Sequence, residues 1–256
     1  MDIIICSSYE ELSRRAARVV ADVVKAKPNA VLGFATGSSP VGLYRELVRM
    51  HREGGLDFSR VTTFNLDEYV GLPPAHPQSY FHFMHENLFG HINVPRDRVH
   101  VPSGTQKDHA AFCAWYEARI RECGGIDVQV LGIGSDGHVA FNEPGSSLGS
   151  RTRMVTLTEQ TLRDNARFFE RPDDVPRHAI SMGVGTILEA RKCVLVANGK
   201  NKAPAVAAMA EGPITCMITA SALQYHPDTT VFLDEAAAGL LKMKDYYNWV
   251  QGGRAQ

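Results

Sequence analysis

Short apolar runs alternate with longer stretches of helical spacing along almost the whole chain, and this alternation restricts the fold more than any other feature. Ile3–Cys6, Ala30–Ala35, Val61–Asn65, Ile126–Leu131, Met154–Leu157, Val194–Ala197 and Thr229–Leu233 read as buried strands. Leu12, Ala16, Val19, Val20 and Val23 recur at helical spacing after Ser7 and Ser8, either of which can cap a helix. Further helices are expected over 41–52, 81–89, 110–123 and 159–169, from Lys202 through Met209, and near the C-terminus, and 179–190 reads as another strand–helix pair. Strands that alternate with helices form a mostly parallel sheet covered on both faces. The expected fold is therefore α/β, with one domain over residues 1–256 and an open, Rossmann-like sheet.

Composition excludes several partners. The 256 residues carry a net charge of -1, which gives no reason to expect nucleic acid or an anionic membrane. Cys6, Cys113, Cys123, Cys193 and Cys216 are scattered without CxxC spacing, which argues against a disulfide framework or a thiolate zinc site. No basic region precedes the first apolar run, and no segment approaches the roughly 20 apolar residues of a membrane span. The expectation is a cytoplasmic protein with no nucleic-acid or membrane partner.

The most informative stretch is Val130-Leu-Gly-Ile-Gly-Ser-Asp-Gly-His-Val-Ala-Phe-Asn-Glu-Pro144. A strand breaks here into a turn whose Gly132, Gly134 and Gly137 allow sharp bends and close approach. Asp136, His138 and Glu143 follow within eight positions. Imidazole titrates near neutrality and a carboxylate can fix its tautomer, so this trio suits proton transfer at the end of a strand. Gly132–Gly137 also matches GxGxxG, with Glu159 near the spacing of a ribose-binding acid. Asn142, Pro144 and Gly145 do not build the long helix a dinucleotide needs, however. A metal is not expected either, because no third ligand at useful spacing joins Asp136 and His138.

Two further turns complete the set. Thr36-Gly-Ser-Ser-Pro40 joins a strand to a helix through small hydroxylated residues. Thr36, Gly37, Ser38 and Ser39 can offer backbone N–H groups and hydroxyls to an anion, though Ser39 could equally be an ordinary N-cap. The absence of GKS or GKT excludes a Walker loop and favours a sugar phosphate. Asp67 ends the third strand and is a candidate general base, with Glu68 or Tyr69 in structural roles. Lys202, expected to open a helix, opposes the helix dipole, a hint of a phosphate nearby. Arg167, beside Phe168 and Phe169, could be a solvated surface charge, the usual fate of Arg. His76, His82, His85 and His91, around a proline-rich loop, read as surface or lid residues.

Taken together, Phe34–Pro40, Phe64-Asn-Leu-Asp-Glu-Tyr-Val-Gly-Leu72, Gly132–Pro144 and Ser150-Arg-Thr-Arg153 resemble the glucosamine/galactosamine-6-phosphate isomerase family, and the deaminases of glucosamine 6-phosphate in particular. The resemblance runs from the first strand to about Leu233. It implies aldose–ketose isomerisation and deamination of glucosamine 6-phosphate to fructose 6-phosphate and ammonia, in amino-sugar catabolism, without metal or organic cofactor. By the same resemblance Asp67 moves the proton between C2 and C1, and His138 opens the pyranose ring with Asp136 and Glu143 as partners. Thr36, Gly37, Ser38, Ser39, Arg167 and Lys202 are then the phosphate set. Hexameric members activated by N-acetylglucosamine 6-phosphate carry Lys where this chain has Val155, so no such activation is expected. The chain could be a monomer or a homo-oligomer. Galactosamine-6-phosphate deaminase is an alternative differing mainly in the sugar epimer. A 6-phosphogluconolactonase-like hydrolase would not be expected to keep both the Asp67 segment and the His138 block. A non-catalytic sugar-phosphate sensor would be expected to lose Asp67 or His138.

Overall fold

The computed structural model describes residues 1–254. In chain order the elements are β1 (Asp2–Cys6), α1 (Tyr9–Ala26), β2 (Val31–Phe34), α2 (Val41–Gly54), β3 (Thr62–Asn65), β4 (Asp67–Tyr69), α3 (Tyr80–Asn87), β5 (Val99–His100) and α4 (His109–Glu122). They continue with β6 (Val128–Leu131), β7 (Arg153–Thr156), α5 (Glu159–Ala166), β8 (His178–Ser181), α6 (Val184–Leu188), β9 (Cys193–Ala197), α7 (Ala203–Glu211), β10 (Thr229–Asp234) and α8 (Lys244–Arg254). Ser8 caps α1 by accepting the Glu11 N–H, as its sequence position predicts.

Seven strands form one parallel sheet in the order β1-β10-β9-β6-β2-β3-β5. Side chains alternate between its faces, which is why the strands are apolar at nearly every position. Val128, Val130, Val194 and Val196 enter a core with α1, α2 and α3. Leu131, Cys193, Leu195 and Ala197 enter the opposite core, under α4, α6 and α7. The α/β class with helices on both faces agrees with the sequence reading. No described helix is long and apolar enough to cross a membrane.

Strand order reverses between β2 and β6. From β2 the chain winds toward β3 and β5, and from β6 toward β9 and β10, which pairs with β1 at the edge. The carboxyl ends of β2 and β6 therefore diverge over a crevice, the place where open α/β sheets take ligands. Thr36–Ser39 follows β2 and the glycine turn follows β6, so both motifs rise on this crevice.

Three short strands lie outside the parallel sheet. Asp67 does not end the third strand: after Leu66 the chain leaves the main sheet, and Asp67–Tyr69 forms β4 of a separate antiparallel sheet ordered β4-β8-β7. The strands near 154 and 179 belong there too. An apolar pattern reports burial, and it does not say which sheet does the burying. Beneath this small sheet, Tyr69, Phe141, Leu157, Val175 and Ala179 form a third core, with Val155 packed at its edge.

Candidate active site

The turn after β2 is held open. Gly37 has φ 106, a left-handed conformation that favours glycine. No described group accepts the N–H of Gly37, Ser38 or Ser39, which leaves these donors to a ligand. Ser39 is not the N-cap of α2: Pro40 occupies that position without a side-chain cap, and the Ser39 hydroxyl donates to Asn198 Oδ1 at 2.8 Å. Tyr9 supports the turn from below, its hydroxyl donating to Ser39 O at 3.0 Å and accepting the Gly42 N–H at 2.7 Å.

Asp67 sits at the start of β4, opposite Ser181 of β8. The Ser181 hydroxyl accepts the Phe141 N–H at 3.0 Å, and this bond couples the Asp67 strand to the His138 turn. Burial, reinforced by the neighbouring Glu68 carboxylate and opposed by His138, pushes the Asp67 carboxyl up to about 8. Glu68 points away from Asp67 and accepts three backbone N–H groups, from Tyr69, Tyr80 and Phe81.

His138 Nδ1 lies 2.7 Å from Asp136 Oδ1 and 3.5 Å from Glu143 Oε2. Neither contact has hydrogen-bond geometry at Nδ1, so these are close ion contacts. Burial of the ring works against its charge, but the two carboxylates outweigh it and raise the imidazole to about 9. Both carboxyls are in turn held below their usual range: desolvation opposes this and the facing imidazolium prevails. The ring lies flat on Gly134, where an added Cβ would come within 2.5 Å of His138 Cε1. Glu143 also accepts the Thr158 N–H at 3.1 Å, joining the histidine to the cap of α5. The turn includes Ala140, the one non-glycine described residue with positive φ, at 51°.

One cavity of about 720 Å³ collects these groups. Asp67, His138, Thr36, Gly37, Ser38, Ser39, Arg167 and Lys202 all line it, whereas Asp136 and Glu143 stand behind His138 without reaching it. Lys202, at the N-cap position of α7, donates from Nζ to Ile133 O at 2.7 Å, and burial lowers its ammonium below the usual lysine range. Arg167 lies just past α5, its guanidinium 4.7 Å from the Phe168 ring centre. Of the four loop histidines only His82 reaches the cavity.

Several lining residues carry no sequence signal. Asp164 on α5 accepts the Ser135 hydroxyl at 2.5 Å and bridges the glycine turn to that helix. Tyr80 stacks on Phe141 with ring centres 5.9 Å apart and forms an aromatic wall. Ser181, buried outside the cavity lining in an ordinary-looking strand, also gives no hint of its coupling role.

Glu143 joins Asp136 and His138 as a third residue of metal-ligating kind, which the sequence spacing does not lead one to expect. Atoms of Asp136, His138 and Glu143 lie within 4.8 Å of one another. Glu143 follows His138 through a turn that includes the left-handed Ala140. Two carboxylates around one imidazole nitrogen also satisfy an imidazolium, which the raised histidine supplies.

Residues 7–231 match the family described as glucosamine-6-phosphate isomerases/6-phosphogluconolactonase. Glucosamine-6-phosphate deaminase 2 of Bacillus subtilis (strain 168) is 54% identical over 248 residues, covering 96% of this chain and 100% of the relative. The glucosamine-6-phosphate deaminase of Thermoanaerobacter pseudethanolicus (strain ATCC 33223 / 39E) is 50% identical over 245 residues, covering 96% and 97%. A solved structure described as a monomeric glucosamine-6-phosphate deaminase superposes with TM-score 0.92 at 48% identity, covering 94% of this chain and 100% of the other. The 6-phosphogluconolactonase from Trypanosoma cruzi superposes at TM-score 0.73 with 24% identity, covering 94% and 97%, a likeness of fold alone.

Proposed function

The chain belongs to the glucosamine-6-phosphate isomerase/6-phosphogluconolactonase family, and we propose that it converts glucosamine 6-phosphate and water to fructose 6-phosphate and ammonia. The supporting observation is that an elevated carboxyl, a charged imidazole and an anion-binding turn open onto one cavity.

The chemistry follows from the groups. The phosphate dianion binds to the free N–H groups of Gly37, Ser38 and Ser39, with Lys202 and Arg167 supplying charge. Remote binding of this kind holds the opened sugar chain in place. His138 has Nδ1 engaged by two carboxylates, which leaves Nε2 to the cavity. As imidazolium it donates a proton to the ring oxygen, and as imidazole it accepts one from the anomeric hydroxyl, opening the pyranose. An ammonium on C2 brought beside Asp67 favours the ionised carboxylate, offsetting burial. That carboxylate takes the C2 proton and returns it to C1. The resulting ketimine adds water and loses ammonia. Proton transfers through Asp67 and His138 account for each step, so the scheme uses no metal or organic cofactor, and we expect it to run in the cytoplasm.

Ammonia release tests the reading: the enzyme is expected to act on glucosamine 6-phosphate and much more slowly on the galactosamine epimer. A preference for the galactosamine epimer would reassign the substrate, and no release from either would reject the reaction.

A further inference from the structure

We propose that Glu68, a buried carboxylate outside the cavity, is a positioning residue for Asp67: it fastens helix α3 to the strand bearing Asp67 and sets a second negative charge beside it. The proposal deepens the reading above and rests on Asp67 as the proton carrier.

Successive residues of a strand face opposite ways. Asp67 lines the cavity, and Glu68, 2% exposed, turns beneath the start of α3. Its Oε1 accepts from Tyr69 N at 2.8 Å and Tyr80 N at 3.0 Å, and its Oε2 from Phe81 N at 3.0 Å. Ser79 caps α3 through the His82 N–H alone. Glu68 thus satisfies the two leading N–H groups that Ser79 leaves over, and its charge meets the positive end of the helix dipole. Through this joint the α3 side chains that wall the cavity (Tyr80, His82, Phe83) are fixed relative to Asp67. Tyr80 also rests on Tyr69, ring centres 4.9 Å apart.

Adjacent carboxylates in one dry strand repel, yet the three N–H groups here use both oxygens of a carboxylate, and an amide would turn its NH2 toward one of them. The charge acts on Asp67. Its surroundings hold few other ionisable groups: His138 from the glycine turn, and the phenols of Tyr44, Tyr69, Tyr80 and Tyr116, which burial keeps neutral. Opposite β4, β8 contributes Ala179, Ile180 and Ser181, none titratable. Burial raises Glu68 to about 7, while its three backbone N–H donors favour its charged form beside Asp67. A base held up by a neighbouring charge is a stronger base.

The test is the pH profile of kcat/KM for ammonia release by wild type, Glu68→Gln and Glu68→Asp, with folding checked by circular dichroism. In Glu68→Gln the acid limb is expected to move down by about one pH unit and kcat to fall about tenfold. Glu68→Asp keeps the charge and is expected to restore the limb to the wild-type position while its shortened reach alters KM. A folded Glu68→Gln enzyme with the limb unmoved overturns the proposal, even if its rate falls. Should Glu68→Gln not fold, a displaced limb in Glu68→Asp overturns it instead. Wild type that releases no ammonia rejects the parent reaction, whereas an active wild type with an unmoved limb rejects only the role of Glu68.

Discussion

Asp67 and His138 reach one cavity from different sheets, both largely shielded from water, and their surroundings drive them apart. Asp67 has a second carboxylate as its neighbour in the chain, and burial holds it toward the neutral form, up to about 8. His138 has carboxylates on two sides, and they hold it toward the charged form, up to about 9, against the same burial. Dryness and a carboxylate neighbour are common to both; that neighbour repels an ionised Asp67 and attracts a protonated His138, and this decides the outcome. A site made this way keeps a strengthened base and a histidine that stays protonated near neutral pH within one cavity, as proton transfer at two positions of one sugar requires.

Removing the base should break the comparison most severely. Asp67→Asn is expected to lower kcat by roughly 10²–10⁴-fold with KM near wild type, since an amide keeps the shape without accepting the proton. Turnover within a few fold of wild type in an ammonia assay would take the base role from Asp67. Replacing the acid, His138→Asn, is expected to cost about 10²-fold, somewhat less because sugar rings also open slowly in water. Supplying a substrate analogue that is already acyclic should narrow that deficit, and an unchanged deficit would show that His138 does not act in ring opening.

Glu143→Gln sharpens the comparison. With one of two carboxylates gone, the imidazole should fall from about 9 toward its ordinary 6.5, so the basic limb of kcat/KM moves to lower pH. The stability sign agrees: a raised histidine contributes stability that is complete below about 6.5 and lost as pH rises through about 9. Melting temperature against pH should therefore lose part of its high-pH decline in this variant. The smallest effect is expected at the phosphate end. Lys202→Ala should raise KM about tenfold, near 1.4 kcal/mol, and leave kcat within a few fold. An unchanged KM would remove Lys202 from the phosphate site.

Much of this arrangement is legible in the residues alone. Strand–helix alternation gives the parallel sheet, and turns rich in glycine and serine mark where its strands end. Asp67, His138 and the phosphate turn stand out because their residue types fit chemistry better than packing. The small sheet is not legible, because three residues, Asp67-Glu-Tyr69, cannot signal which strand they will join. Nor is Ser181, whose hydroxyl ties the Asp67 strand to the His138 turn across 40 positions of sequence. The Asp136–His138–Glu143 trio is legible as a proton-transfer group, whereas the left-handed Ala140 within its turn is a conformation that no side-chain pattern announces. Local spacing carries local chemistry, and the register between distant strands is settled only when the cores close.

The central claim is that Asp67 carries the C2 proton while His138 opens the ring from the other side of the same sugar. Proton NMR of glucosamine 6-phosphate in deuterium oxide, following the C2–H signal with wild type and Asp67→Asn, tests it most directly. The signal should vanish in step with fructose 6-phosphate formation for wild type and persist at the uncatalysed rate for Asp67→Asn. Loss of that signal by Asp67→Asn at a rate within about tenfold of wild type would contradict the account.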